Sequence, residues 1–430
     1  MTQTGPGENP IHPTRTDREL DVVLFGATGF TGKLVAEYLA RHYGNSDLRW
    51  ALAGRNLDKL AAVRAELAGI APALSDLPLL IADSSDRRAL EDVARRTRVV
   101  CSTVGPYAVH GSELVAACVA CGTDYCDLTG EPQWIRRMID AHADSARASG
   151  ARIVHCCGFD SIPSDLGTYL VQQHAIEHFG APCNEVKVFV TKLRGGASGG
   201  TIASMLGVME EATRDSAVRR ILSDPYCLNP EGERTGPDGR DPTSVRRDPD
   251  LPGWTGPFVM AAINTRVVRR TNALLGYRYG RDFRYAELSA FPNDARGFLR
   301  ATGQTLGIGA FMAAAVVRPI RSLLAKKVLP KPGQGPSAEQ RRRGKFEMCV
   351  VGKRSGAAPV FARVVGHSDP GYGETSIMLA ESALCLARDG VVPECPSGVL
   401  TPASAMGEKL LARLRRAGMI FEITPERCYN

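Results

Sequence analysis

No apolar run of the kind a signal peptide needs opens this chain; its first twenty residues, MTQTGPGENPIHPTRTDREL, are polar and carry Pro6, Pro10 and Pro13. Nothing marks it for export, and a cytoplasmic protein is expected. No internal repeat occurs, and no second cysteine pair stands at zinc-ribbon spacing beside Cys118 and Cys121. That CxxC lies in the helical pattern SELVAACVACG, so the twelve cysteines read as small, reduced core residues and no metal site is expected. Charge of one sign is also scarce overall: 53 Lys and Arg face 46 Asp and Glu, a net +7 too mixed for a protein that wraps nucleic acid.

What is present is length and apolar content. At 430 residues, 44% of them hydrophobic, the chain is long enough for two or more cored domains of about 100–200 residues each. Residues 1–18 read as a loose tail. From Leu20 short apolar strands (20–25, 48–54, 77–82, 99–104, 124–128 and 151–156) are mostly separated by amphipathic helical stretches. Parallel neighbours need such crossovers, so residues 19–158 are expected to form a doubly wound α/β domain of the Rossmann type. The rhythm then changes. Strands over 185–193, 281–291, 345–352 and 359–367, helices near 373–389 and 401–416, and a last strand at 419–423 suggest a second α+β layer over 159–430 with a mainly antiparallel sheet. Seven prolines between 223 and 257 mark a long loop, read as a functional surface or lid.

The strongest chemical signal is GATGFTG, residues 26–32, between the first strand and the first helix. Gly26 permits the tight turn, Gly29 the approach of backbone to a pyrophosphate, and Gly32 close helix packing, with Ala27, Thr28, Phe30 and Thr31 filling the loop. The second strand ends in Gly54 and Arg55, where an NAD-selective site places a carboxylate. A guanidinium there suits the 2′-phosphate of NADP(H). Asp83 and Ser84, after the third strand, read either as adenine-side contacts or as helix caps. Thr103, Val104, Gly105 and Pro106, after the fourth, are expected on the nicotinamide side. Tyr107 and His110 follow, each read as a proton donor to a reacting substrate or as packing, and Asp160, with Glu131 and Ser161, is read as a catalytic group, a site-lining group or a cap.

Taken together GATGFTG, AGR (53–55), VGPY (104–107), DLTGE (127–131), GFDSIPSD (158–165), RVVRRTN (266–272) and GVLTPASAMG (398–407) resemble the saccharopine dehydrogenase-like oxidoreductases. Among these are the trans-acting enoyl reductases of mycobacterial polyketide lipid synthesis and lipid-droplet-associated animal members. The resemblance spans roughly residues 20–425. It implies an NADP(H)-dependent reductase acting on an acyl or lipid-like substrate, held on a carrier protein in the enoyl reductases. A saccharopine or opine-type imine dehydrogenase, using Arg194, Arg266, Arg269 and Arg270 to clamp carboxylates, is the first rival. A non-catalytic nucleotide-binding lipid protein is the second.

One segment concentrates the charge. Seventeen uncharged residues between Arg300 and Arg318 precede a stretch to Lys345 with nine Lys or Arg and one Glu. At ~1.5 Å per residue the run reaches about 26 Å, short of a bilayer core of roughly 30 Å. Segment 301–345 is therefore read as a buried helix or as a peripheral membrane contact with a basic skirt, and the second domain as a site of homodimer pairing.

Overall fold

The computed structural model describes residues 18–195, 199–328, 335–426 and 428. The tail expected at 1–18 lies outside the described residues except for Arg18. That residue is buried and belongs to the fold, its guanidinium donating to the carbonyls of Ala94, Thr97 and Cys121.

The first half runs β1 (Leu20–Phe25), α1 (Phe30–Tyr43), β2 (Trp50–Gly54), α2 (Leu57–Ala68), β3 (Leu79–Ile81), α3 (Arg87–Arg96), β4 (Thr97–Ser102), α4 (Tyr107–His110), α5 (Ser112–Ala120), β5 (Asp124–Cys126), α6 (Pro132–Ser149) and β6 (Arg152–Val154). It continues with α7 (Ile162–Phe179), β7 (Glu185–Arg194), α8 (Gly199–Arg214), α9 (Ser216–Ser223), β8 (Arg246–Asp248), β9 (Leu251–Pro257), α10 (Ala261–Leu274) and β10 (Arg284–Phe291). The last part holds α11 (Ala295–Val316), α12 (Arg318–Val328), α13 (Ala338–Arg342), β11 (Lys345–Lys353), β12 (Val360–Gly366), α14 (Thr375–Arg388), β13 (Gly398–Leu400), α15 (Pro402–Arg416) and β14 (Ile420–Thr424).

Seven parallel strands form the first sheet in the order β13-β6-β5-β4-β1-β2-β3. Its interior strand β1 is buried at all six positions, which is why it reads as a nearly continuous apolar run and not as an alternation; the one charged residue, Asp21, is paired with Arg49 and Arg388. The order reverses between β1 and β4, and this switch point opens the crevice at the carboxyl ends of the strands. A second sheet, β14-β12-β11-β7-β10-β9-β8, is antiparallel apart from the β7–β10 pair. Both sheets share one core: Val22 and Leu24 of the first and Val188, Val350 and Val364 of the second lie in the same buried cluster with α7, α14 and α15.

Two expectations are corrected. The helices at 375–388 and 402–416 do not simply cover the second sheet. Helix α14 packs on α1, β1, β4 and β5, and β13 adds a seventh strand to the first sheet beside β6, with Gly398 opposite Arg152. The proline-rich stretch 223–257 is no free lid either. Part of it is β8 and β9, and the rest is pinned by Arg269 on Asp238, by Arg266 on Asp241, and by Arg136 on the carbonyls of Cys227 and Asn229.

Candidate cofactor and substrate site

The glycine turn is built for a diphosphate. Gly26 sits at φ +87°, a left-handed conformation that side chains resist, with Val104 and the Thr103 hydroxyl where a Cβ would stand. A Cβ on Gly32 would strike the Gly26 carbonyl, so the start of α1 presses directly on the turn. Gly29, the N-cap of α1, brings no side-chain acceptor to the first-turn N–H groups. The neighbouring helices are closed: Asn56 caps α2 and Asp86 caps α3. Helix α1 therefore keeps open donors and a positive dipole end where an anion can approach. Ala27 is fully buried behind the turn, and Thr28 and Thr31 are half-buried around it.

Gly54 and Arg55 end β2 as expected, and the exposed Arg55 makes no ion pair among the described residues. Asp83 accepts the N–H and hydroxyl of Ser85 at 2.9 and 2.7 Å, which hold its carboxyl below the usual range, with Arg55 and His110 adding smaller pulls. The cap of α3 is Asp86, not Asp83 or Ser84. Ser84 instead meets the ring of His110 at 3.5 Å. His110 thus stands with Arg55, Asp83 and Ser84 on the adenosine side and does not line the substrate cleft. Phe30 opens α1, so its N–H is among the uncapped donors, while its ring packs edge-on against Tyr372, with Arg341 over it, joining α1 to the segments around α13.

On the other side of the switch point, the Thr103 hydroxyl donates to Gly26 O at 3.1 Å, and Val104 closes over the glycine turn. Gly105 and Pro106, joined by a cis peptide, lead into α4. A cleft of about 310 Å³ opens here. Thr31, Thr103, Gly105, Tyr107, Leu128 and Gly130 line it from the first sheet, and Phe159 and Asp160 from the loop before α7. The opposite wall is Leu193, Gly195, Gly200, Thr201, Ser204 and Met205, then Phe258, Val259 and Met260, and finally Pro370, Gly371 and Thr375.

Within this cleft the structure separates the candidate acids. Tyr107 presents its ring, but its hydroxyl donates to Ser102 O at 3.1 Å and accepts the Leu128 N–H at 3.2 Å. Burial raises its phenol well above the ordinary value. Tyr107 is therefore a brace between two strand-end loops and not a free proton donor. Glu131 is fully buried and accepts the N–H groups of Tyr107 and Ala108, both at 2.9 Å, and the Ser204 hydroxyl at 2.7 Å. It caps α4 and ties α8 to the first sheet. Ser161 turns inward to Asn264 instead of capping α7.

Asp160 is different. It is largely buried and lines the cleft, with no ion-pair partner among the described residues. Burial among apolar neighbours pushes its pKa up to about 7, with the charge of Asp127 adding to the effect. Asp127 is itself fixed by His155 at 2.7 Å. Three of the four arginines expected as carboxylate clamps lie elsewhere: Arg266 and Arg269 pair with Asp241 and Asp238, and Arg270 donates to the carbonyls of Leu228 and Val399, whereas the exposed Arg194 stands between Leu193 and Gly195, both of which line the cleft. No lysine, arginine or histidine lines the cleft among the described residues.

The second wall was not read in the sequence. Leu193, Ser204, Val259 and Thr375 come from four separate segments, and only the Gly/Ser loop before α8 hinted at a close approach. Thr375 donates to Pro370 O at 2.7 Å and accepts Phe159 N–H at 3.0 Å, fastening the floor of the cleft.

An uncapped glycine-cradled helix at a switch point, a free cation at the end of β2, and a cleft at the strand carboxyl ends define a nicotinamide-dinucleotide oxidoreductase. Residues 22–154 match the model of the saccharopine dehydrogenase NADP binding domain. Over 419 residues the chain is 46% identical to a candidate trans-acting enoyl reductase of Mycobacterium tuberculosis, covering 96% of this chain and 99% of that one. It is 41% identical over 421 residues to the trans-acting enoyl reductase of Mycobacterium bovis, covering 95% and 98%. Saccharopine dehydrogenase of Saccharomyces cerevisiae shares the fold, with a TM-score of 0.51 at 14% identity over 94% of this chain and 99% of that one. The chain belongs to the saccharopine dehydrogenase-like oxidoreductases, in the family of the trans-acting enoyl reductases, and its cofactor is NADP(H). The uncapped turn of Gly26, Gly29 and Gly32 leaves room for the cofactor's diphosphate, and Arg55 is an exposed cation after β2.

Proposed function

We propose that this oxidoreductase reduces the carbon–carbon double bond of an α,β-unsaturated acyl group, presented as a thioester on a carrier protein. The observation that carries the reading is the cleft itself: apolar walls, no cation among its described lining residues, and one carboxyl, Asp160, with a raised pKa. The imine whose reduction gives saccharopine carries several carboxylates and needs cations to balance its charge, whereas an acyl thioester is neutral and its chain suits Leu193, Met205, Phe258 and Met260. NADPH, when bound, supplies a hydride. Its addition at the β-carbon would push charge toward the thioester carbonyl and leave the α-carbon in need of a proton. The protonated carboxyl of Asp160 then delivers its proton to the α-carbon, leaving a carboxylate that regains a proton from water. Tyr107 and Glu131 hold the loop that shapes the nicotinamide side. The relatives' names support the same reaction.

Peripheral membrane contact of residues 301–345 from a cytoplasmic location, and pairing of two chains along the edge strands β8 or β14, belong to the same reading. No helix among the described residues is long and apolar enough to cross a membrane. The test is NADPH oxidation with a panel of enoyl thioesters beside the carbonyl and amino-acid pairs that condense to saccharopine-type imines. Enoyl turnover that Asp160→Asn lowers about 10²–10⁴-fold while NADPH binding persists is expected. Turnover of imines alone, or binding of NADPH with no turnover of either class, overturns the reading.

A further inference from the structure

The segment left open between burial and lipid contact is exposed. Of the fifteen large apolar side chains exposed among the described residues, eight lie between Phe298 and Leu323. Leu299 and Leu306 are 67% and 68% accessible, and Met312, Val317, Ile320 and Leu323 continue the surface onto α12. Single exposed leucines are ordinary; a strip of this size along 22 residues of helix, about 33 Å, is an interaction surface. Between Asp294 and Glu339 the sequence has seven Lys or Arg and no acidic residue. Arg296, Arg300 and Arg318 are exposed and make no ion pair among the described residues, whereas Arg321 turns inward to Ala315 O and Glu210 and fastens α12 onto α11.

This strip adjoins the cleft. Gln304 donates to Pro257 O at 2.9 Å, and the next three residues, Phe258, Val259 and Met260, line the cleft, with Val259 exposed at its rim. Helix α8, which carries Thr201, Ser204 and Met205 into the cleft, packs against both α11 and α12.

Deepening the membrane contact proposed above, and resting on it, we infer that the α11–α12 face is an interfacial seat for an anionic lipid surface, holding the cleft rim beside that surface. Apolar side chains enter the headgroup boundary while the arginines neutralise lipid phosphates. A second copy of the chain fits less well, because a two-fold contact would set this acid-free strip against itself with its arginines unpaired. An acidic carrier would answer the charge but not so long an apolar face.

The full chain, loaded with NADPH, is floated with vesicles of phosphatidylcholine alone and of phosphatidylcholine mixed with phosphatidylglycerol. Flotation with the anionic vesicles is expected, weakened by salt. It should fall about tenfold or more in a Leu299→Ser, Leu306→Ser, Val317→Ser variant, and also in Arg300→Glu, Arg318→Glu, with NADPH affinity unchanged as the check on folding. The inference is overturned if the wild-type chain stays unbound with both vesicles, or if the variants float as it does. Conversion of a dimer to a monomer by the serine variant, or loss of carrier-protein binding in place of lipid binding, overturns it in favour of those partners. Turnover of a short soluble thioester needs no membrane, so failure of that assay strikes the enoyl reading and leaves the flotation result standing.

Discussion

Glu131 holds Tyr107 by its backbone nitrogen, at 2.9 Å, while the phenol of the same tyrosine is spent on Ser102 O and the Leu128 N–H. The residue that looks most like a reductase tyrosine in the sequence is thus a strut at both ends. Removing only the hydroxyl, in Tyr107→Phe, leaves the Leu128 N–H without its acceptor. It should lower stability by about 1–3 kcal/mol in denaturant titration while kcat changes less than about tenfold. A loss of kcat on the scale expected for Asp160→Asn would return the tyrosine to the chemistry.

Asp160→Asn should lower kcat about 10²–10⁴-fold with little change in NADPH affinity, since the amide keeps the shape of the side chain and cannot deliver a carboxyl proton. In the wild-type enzyme kcat should fall as pH rises through about 7, where Asp160 ionises. The residual activity of the variant should lack that limb, and a pH profile of both proteins decides it.

Arg55→Ala should weaken NADPH binding by about tenfold or more and leave NADH binding nearly unchanged, because only the 2′-phosphate meets the guanidinium. Titration with both nucleotides measures this. Equal losses for the two would place Arg55 outside the phosphate site.

Stability itself should have an acid-side optimum. Burial raises Asp160, Asp165 and Glu374 to about 7 and Glu287 to about 6. These groups bind protons more tightly in the folded chain than in the unfolded one, where carboxyls titrate near about 4. Between those values the folded state holds more protons, so raising the pH costs stability. The Tm is expected to drop from pH 5 to pH 8, and Asp165→Asn should flatten part of that slope. A Tm that climbs across this window would contradict the burial of these carboxyls.

The first sheet was readable because β1 is apolar at five of its six positions and GATGFTG stands directly after it, a local pattern with a local cause. Strand β13 was not: three residues, Gly398–Leu400, are too few for any periodicity, and their place beside β6 is decided by packing across the whole chain. The cofactor glycines and Arg55 were legible for the same local reason. Asp160 appeared only as one acid among several, because its distinguishing property, a place in a cleft with no cation among its described lining residues, arises from Leu193, Met205 and Met260 converging from distant segments. The rings of His110 and Phe30, adjacent in sequence to the site, are drawn off to Ser84 and to Tyr372 by contacts that spacing does not show.

The pairing of β13 with β6 also sets the order in which the protein can be finished. During synthesis the strands from Leu20 to Val154 emerge early, but the edge of β6 stays unpaired until Gly398 has left the ribosome. Long-range closure of this kind raises contact order and slows the final folding step. A chain ending before Gly398 would therefore carry every cofactor glycine and still present an open strand edge, the template on which aggregation begins.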